Sequence, residues 1–294
     1  MDIKDVLNKY QNIVNKELYK YIKKEDCIEK TLYDSIEYSL MAGGKRLRPI
    51  LMLQTYTLFK HNYEKCLPFA VAIEMIHNFS LIHDDLPAID NDDFRHGKLT
   101  NHKKFSESTA ILAGDSLLNN AYMVISKELF NNTQNIKNKL RAFNELTKAV
   151  DRMIAGEYLD TEYEYRNISK EYLEYIHKNK TGELIKASIR IGAIIADASE
   201  NQINELGEYA DKIGLTFQIS DDILSETGEK DILGKPIGND KRNGKCTYVT
   251  KYGLKKAQEI LKQLTKQAVN IANTYGADGE FFKEFAIYIK NRDK

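Results

Sequence analysis

The amino-acid sequence predicts an all-α protein, and three observations support this. Apolar residues recur mostly at spacings of three and four, which places them on one face of a helix. The segments between glycine, proline and asparagine breaks have the length of helices. Neither a linker nor a low-complexity tract divides the 294 residues. We therefore predict one helical domain over residues 1–294.

Composition narrows the class of protein. The 43 basic and 43 acidic residues balance, whereas nucleic-acid binding would call for a basic excess. Three cysteines without metal or redox spacing favour a reduced chain in the cytoplasm. No uninterrupted apolar run reaches the roughly 18 to 20 residues of a membrane span, and the charged start is not a secretory signal. We expect a soluble protein with no nucleic-acid partner.

An aspartate-rich stretch follows a very apolar predicted helix over residues 67–86. Two like charges about 4 Å apart repel by roughly 4 kcal/mol at an effective dielectric near 20, so crowded carboxylates need a cation. Hard oxygen ligands suit Mg²⁺, and neighbouring arginines and lysines suit the phosphates that Mg²⁺ often shares. Within ten residues this stretch carries Asp84, Asp85, Asp90, Asp92 and Asp93, and Arg95 follows.

Pro87 determines the geometry of that stretch. On a straight helix Asp84 and Asp90, six residues apart, would point about 120° away from each other. Pro87 disfavours helix at Leu86, so the helix should end there and Asp90 should fold back beside Asp84. His77, seven residues earlier, falls on nearly the same face as Asp84.

Four further stretches carry polar side chains suited to a phosphate site. A second apolar helix, predicted over residues 201–225, ends in Asp221 and Asp222 with Gln218 on their face, so we place the two acidic helix ends opposite each other. GGKRLRP, residues 43–49, is a flexible turn with three cations before a helix predicted from Pro49. Lys180-Thr181-Gly182 precedes an apolar run, where Thr181 would serve as a helix cap. The segment from Gly234 to Tyr248, rich in glycine and lysine, would by itself be a surface turn.

Together these motifs resemble those of the short-chain isoprenyl diphosphate synthases, in the family's order along the chain. The match includes GGKRLRP and LIHDDLPAIDNDDFRHGKLTNH, residues 81–102. The resemblance implies the isoprenoid synthase fold, a single helical bundle around a central cavity, and a homodimer. It also implies head-to-tail condensation of isopentenyl diphosphate with an allylic diphosphate, assisted by three Mg²⁺ ions.

The resemblance assigns a role to each motif. Neutral oxygens such as the Thr181 hydroxyl would face the carbocation and stabilise it by their dipoles. The implied metal ligands are Asp84, Asp90 and Asp221, with Asp85, Asp222 and Asp240 in support. Isopentenyl diphosphate would bind Lys45, Arg48, His77 and His96. The allylic diphosphate would bind Arg95, Lys180, Lys235 and Lys245, with Gln218 beside them.

The sequence departs from the family pattern at two positions. The second aspartate motif usually reads DDxxD, and its third acid is Ser225 here. Where the family usually has a second arginine, this chain has His96 after Arg95. We therefore expect binding of isopentenyl diphosphate to depend on pH through His96.

Product length should be set below the first aspartate. Phe79 lies five residues before Asp84, about 7 to 8 Å down a helix, and with Ser80 it would form the floor of the cavity. A ring at this position accompanies a fifteen-carbon product in bacterial farnesyl-type enzymes. We expect farnesyl diphosphate, with geranyl or geranylgeranyl diphosphate as alternatives.

Two other functions compete with this interpretation. Asp221, Ser225 and Glu229 fit the metal triad of class I terpene cyclases, although Gly228 interrupts their common face. Alternatively, the chain would be a non-catalytic subunit of a heteromeric prenyltransferase. The retained basic residues argue against a non-catalytic role.

Overall fold

The computed structural model describes residues 1–22, 26–227 and 246–292, and these are almost entirely helical, as predicted. A π turn, Lys178–Gly182, joins the helix that ends at His177 to the helix that begins at Glu183, and 3₁₀ turns precede the helices that begin at Leu67 and Glu280. The helices are α1 (Ile3–Tyr19), α2 (Lys30–Leu40), α3 (Leu47–Thr57), α4 (Leu67–Asp84), α5 (Asn101–Lys104), α6 (Glu107–Asn131), α7 (Ile136–Glu162), α8 (Lys170–His177), α9 (Glu183–Ile195), α10 (Glu200–Thr227), α11 (Tyr248–Tyr252), α12 (Leu254–Asn273) and α13 (Glu280–Lys290).

Helix α4 lies at the centre of the bundle. Most of its side chains are buried on every face, including Phe69, Ile73 and Ile76, and it packs against α3 and α6. The segment Tyr63–Asp84 is long and apolar enough to span a membrane, a match that the sequence analysis did not foresee, and 67% of its most apolar window is buried. A helix that is apolar all round and covered by other helices is a core helix.

Helix α10 runs beside α9 and α12 and brings the second aspartate pair to the same end of the bundle as the first. Close packing of α9 on α3 depends on Gly192. A Cβ atom there would lie 2.4 Å from the carbonyl oxygen of Met52, nearer than packed atoms approach. The two central helices observed, α4 and α10, agree with the predicted ranges to within two residues at each end.

The chain reverses direction after α4, as Pro87 predicts. The helix ends at Asp84, and the backbone N–H of Asp90 donates to the carbonyl oxygen of Asp84 at 2.8 Å. A two-stranded hairpin follows, in which β1 (Phe94–Arg95) pairs antiparallel with β2 (Lys98–Leu99). Both residues of its turn have positive φ, 52° at His96 and 74° at Gly97, as a tight hairpin turn requires. This hairpin was not predicted from the sequence.

A smaller apolar cluster joins α8, α10, α11 and α12. Its buried members include Leu173, Ile219 and Tyr248. The ring of His177 lies 5.5 Å from that of Tyr248, and His177 Nδ1 has no hydrogen-bond partner in the described part of the chain. Burial lowers the pKa of His177 to about 4, and nearby Lys180 acts in the same direction, although Asp160 opposes it.

We predict that the buried His177 makes the fold sensitive to acid. A histidine with a pKa of about 4 when folded and about 6.5 when unfolded binds more protons in the unfolded chain between these values. This contribution is complete above pH 6.5 and is lost as the pH falls towards 4, by up to about 3 kcal/mol. Urea unfolding at pH 4, 5, 6 and 7 should show that His177→Gln flattens this dependence.

The exposed His61 provides the matched control, because His61→Gln should leave the pH dependence of the unfolding free energy as in the wild type. Parallel curves for wild type and His177→Gln would contradict the prediction.

Candidate active site

A cavity of about 1360 Å³ opens where α4, α7 and α10 end. Its lining divides into an acidic side, a basic side and an apolar floor. Of the predicted site residues, Asp85 and Asp222 do not line it, and Lys235, Asp240 and Lys245 lie outside the described residues. The same is true of Glu229, which the cyclase alternative requires.

Asp84 and Asp90 line the acidic side. Burial raises the pKa of Asp84 well above its ordinary value, and the negative charges of Glu157 and Asp90 add to this effect, while Lys180 opposes it. Buried oxygens that repel one another are the donor set that a hard divalent cation stabilises. This side of the cavity therefore fits Mg²⁺.

Lys180 joins α7 to the π turn between α8 and α9. Its Nζ donates to Glu157 Oε1 at 3.0 Å and to Asp160 Oδ2 at 2.6 Å. Burial lowers the pKa of Lys180, but the two carboxylates outweigh it and raise the pKa above its ordinary value. Gly156 permits the contact, since a Cβ there would lie 2.3 Å from the backbone nitrogen of Lys180. The ammonium group is thus held in place at the acidic side.

Glu157 and Asp160 were not among the site residues predicted from the sequence. Their three-residue spacing on a predicted helix places both carboxylates on one face, which is the only local signal. The expectation for Thr181 also needs correction, because Thr181 does not cap a helix start but lies within the π turn. There its hydroxyl donates to Gln218 Oε1 at 3.1 Å.

The two aspartates of the first pair have different surroundings. Asp84 faces the cavity, whereas the buried Asp85 accepts from Arg95 Nε at 3.0 Å and also from Arg95 Nη2. Arg95 lines the cavity from the hairpin. Asp85 therefore orients a cavity arginine and does not itself reach the cavity.

The second pair splits in the same way. Asp222 is buried and accepts from the backbone N–H of Tyr248 at 2.8 Å and from Gln218 Nε2 at 3.2 Å, which ties α10 to the start of α11. Asp221 lines the cavity with its side chain 47% exposed and forms an ion pair with Arg292.

Arg292 is a site residue that the sequence did not reveal. Its guanidinium lies 3.8 Å from the centre of the Phe217 ring, and Nη2 donates to the Phe217 carbonyl oxygen at 2.7 Å. Nothing in the C-terminal letters YIKNRDK distinguishes it from a solvated arginine. A metal ion bound at Asp221 would compete with this cation for the same carboxylate.

The basic side of the cavity lies between α3 and α4, where α3 begins at Leu47 and not at Pro49 as predicted. Lys45, Arg48, His77 and His96 line it. Burial lowers the pKa of Arg48, and its Nε has no hydrogen-bond partner in the described residues. Burial also lowers the pKa of His77, and nearby Arg48 adds to the shift. A diphosphate would provide the missing acceptor and counter-charge.

Arg46, the middle cation of GGKRLRP, has a structural role in the turn. Its Nη1 forms a 2.8 Å ion pair with Glu74 Oε1, and both side chains are only 3% exposed. Arg46 also adopts a left-handed backbone conformation with φ of 53°. This buried pair fixes the turn that carries Lys45 and Arg48.

Phe79 and Ser80 line the cavity, and their role as its floor stays a prediction. The Phe79 ring meets the ring of His83 edge-on at 4.9 Å, which limits its movement. The Ser80 hydroxyl donates to the His77 carbonyl oxygen at 3.0 Å. Met153 and Ile154 face this region from α7, so its walls are largely apolar.

Comparisons with known proteins identify relatives of this chain. Farnesyl diphosphate synthase from Micrococcus luteus is 42% identical over 287 residues, covering 97% of this chain and 96% of that protein. The Geobacillus stearothermophilus farnesyl diphosphate synthase is 43% identical over 263 residues, covering 89% of this chain and 88% of that protein. A crystal structure of an FPP/GFPP synthase from Zymomonas mobilis superposes with a TM-score of 0.87 at 30% identity, over 98% and 99% of the chains.

The fold therefore matches isoprenyl diphosphate synthases of known structure, and the relatives extend over nearly the full chain. A model of the family described as polyprenyl synthetase matches residues 29–277, which include every cavity motif named above. The chain belongs to the polyprenyl synthetase family.

Proposed function

We propose that this protein is a farnesyl diphosphate synthase that condenses isopentenyl diphosphate with dimethylallyl or geranyl diphosphate. One observation carries the proposal: one cavity is lined by the carboxylates of Asp84 and Asp90, by basic residues that include Arg48, and by apolar side chains that include Phe79. Each part suits one portion of the reactants. The relatives named farnesyl diphosphate synthase support the fifteen-carbon product.

The acidic side would hold Mg²⁺ through Asp84, Asp90 and Asp221, and the family resemblance suggests three ions. When bound, Mg²⁺ would neutralise the charge that develops on the departing diphosphate. Arg95 and Lys180 bind the other oxygens of the same group, already oriented by Asp85 and by Glu157. Such preorganised charge lowers the barrier because it needs no rearrangement during the reaction.

In the reaction, the bond between the allylic carbon and the diphosphate oxygen breaks, and the electron pair leaves with the oxygen. The hydroxyl of Thr181 and the amide of Gln218 line the cavity beside the resulting cation. Isopentenyl diphosphate is held by Lys45, Arg48, His77 and His96. Its double bond attacks that cation. A proton then passes to the released diphosphate.

We also propose one domain over residues 1–294, a homodimer and a cytoplasmic location. One cluster of buried residues extends from α1 to α13, which supports the single domain. Helices α6 and α7 expose apolar side chains, among them Leu112, Met123, Phe130 and Leu140. We expect a second copy of the chain to pack against these exposed apolar side chains.

Product analysis tests the reaction directly. Purified protein with Mg²⁺, isopentenyl diphosphate and either dimethylallyl or geranyl diphosphate should yield farnesyl diphosphate in both cases. Asp84→Asn should lower kcat by at least about a thousandfold, because a neutral amide does not replace a metal-binding carboxylate.

Circular dichroism must show that the Asp84→Asn protein remains folded. Release of a cyclic hydrocarbon without condensation would instead indicate the cyclase alternative, and no turnover of either kind would indicate a non-catalytic subunit.

We predict that Phe79→Ala lengthens the product. Removing the ring opens space at the floor for about one more five-carbon unit, so geranylgeranyl diphosphate should replace much of the farnesyl diphosphate. Conversely, Ser80→Phe should add a ring to the cavity wall and shorten the product to geranyl diphosphate. Chromatography of the dephosphorylated products measures both changes.

Phe79→Tyr is the matched control, because it keeps the ring and should keep the fifteen-carbon product. An unchanged product from Phe79→Ala would mean that another part of the cavity limits chain length.

We predict that the KM for isopentenyl diphosphate falls as the pH is lowered from 8 to 6. Burial lowers the pKa of His96 below its ordinary value, and Arg95 and Arg46 add to the shift. The imidazole is therefore neutral at pH 8 and gains its charge only towards the acid end, where it would attract the diphosphate. A decrease of about threefold is expected over this range.

His96→Arg carries a permanent charge, so its KM should be lower and should report only the titration of the substrate itself. Identical pH profiles for wild type and His96→Arg would exclude a role for His96 ionisation.

A further inference from the structure

Helix α1 contacts the basic side of the cavity, although it precedes residues 29–277, which match the family. Its buried residues Leu7, Tyr10, Val14 and Leu18 pack on the core and fix its position. Gln11 lies at the edge of that buried face and lines the cavity.

Two side chains of α1, one helical turn apart, hold the turn that carries Lys45. Gln11 Nε2 donates to the carbonyl oxygen of Gly44 at 2.7 Å. Asn15 Oδ1 accepts from Arg46 Nε at 2.9 Å. Lys45 lies between the two tethered residues and lines the cavity.

This turn needs external support because its two glycines leave the backbone free to move, and because Arg46 has a positive φ that a non-glycine residue rarely adopts. The φ angles are 131° at Gly43, 102° at Gly44 and 53° at Arg46. Arg46 is held by its buried ion pair with Glu74, but Gly44 has the conformational freedom of glycine. The hydrogen bond from Gln11 restrains the peptide that joins Gly44 to Lys45.

We propose that Gln11 is a positioning residue that strengthens the binding of isopentenyl diphosphate by fixing the peptide before Lys45. The inference rests on the proposed function, since it assigns that substrate to the basic side. Gln11 acts through Lys45 and is not itself required to contact the diphosphate. Its loss should weaken binding of one substrate and leave the chemical step intact.

The test compares Gln11→Met with the wild type in steady-state kinetics. Methionine has a similar length and helix propensity but no N–H donor. The KM for isopentenyl diphosphate should rise about tenfold, which corresponds to about 1.4 kcal/mol. The kcat and the KM for geranyl diphosphate should each change by less than about twofold. Gln11→Glu also lacks the donor. It should likewise raise the KM for isopentenyl diphosphate and leave the other two constants nearly unchanged.

The exposed Asn12 provides a matched control on the same helix, because Asn12→Ala should leave all three constants unchanged. Calorimetric titration with isopentenyl diphosphate alone should give the same tenfold weakening for Gln11→Met without turnover. An unchanged KM, or equal increases for both substrates with a lower Tm, would overturn the positioning role. Absence of condensation by the wild type would overturn the proposed function itself.

Discussion

The confinement of like charges in a buried cavity is the constraint on which the rest of the structure depends. Asp84, Asp90, Glu157 and Asp160 surround the single ammonium group of Lys180, and burial magnifies the repulsion between the carboxylates. A chain could avoid that cost by exposing these groups. Here the ends of α4 and α7 and the π turn hold them together, and under the proposed function a divalent cation would offset their charge.

The two aspartate pairs meet this constraint in the same way. Consecutive residues on a helix point about 100° apart, so only one member of each pair can face the cavity. The other member, Asp85 or Asp222, is buried and bonded to a group that must be positioned: Arg95 in the first case and the backbone of Tyr248 in the second. Under the proposed function, each aspartate doublet would combine a metal ligand with a residue that fixes a neighbouring group.

In the cavity, the side chains proposed to bind the diphosphates are separate from the ring proposed to limit the length of the product. In the proposed reaction the diphosphate groups would bind the cationic side chains of the cavity, and the hydrocarbon tail would run along α4 towards Phe79. The ring proposed to limit the tail would then be remote from the bond that breaks. Changes at the floor can alter the product without altering the charges that drive ionisation. This separation is consistent with relatives named as farnesyl or geranylgeranyl diphosphate synthases.

The sequence alone determined the all-α class, both central helices and the fold-back at Pro87, because periodicity and proline stereochemistry are local properties. It also identified the motifs that line the cavity. Tertiary structure alone decided that Arg46 pairs with Glu74, that Arg292 reaches Asp221, and that Gln11 holds the turn before Lys45. Each of these contacts joins residues distant along the chain, and no local pattern encodes which buried cation meets which carboxylate.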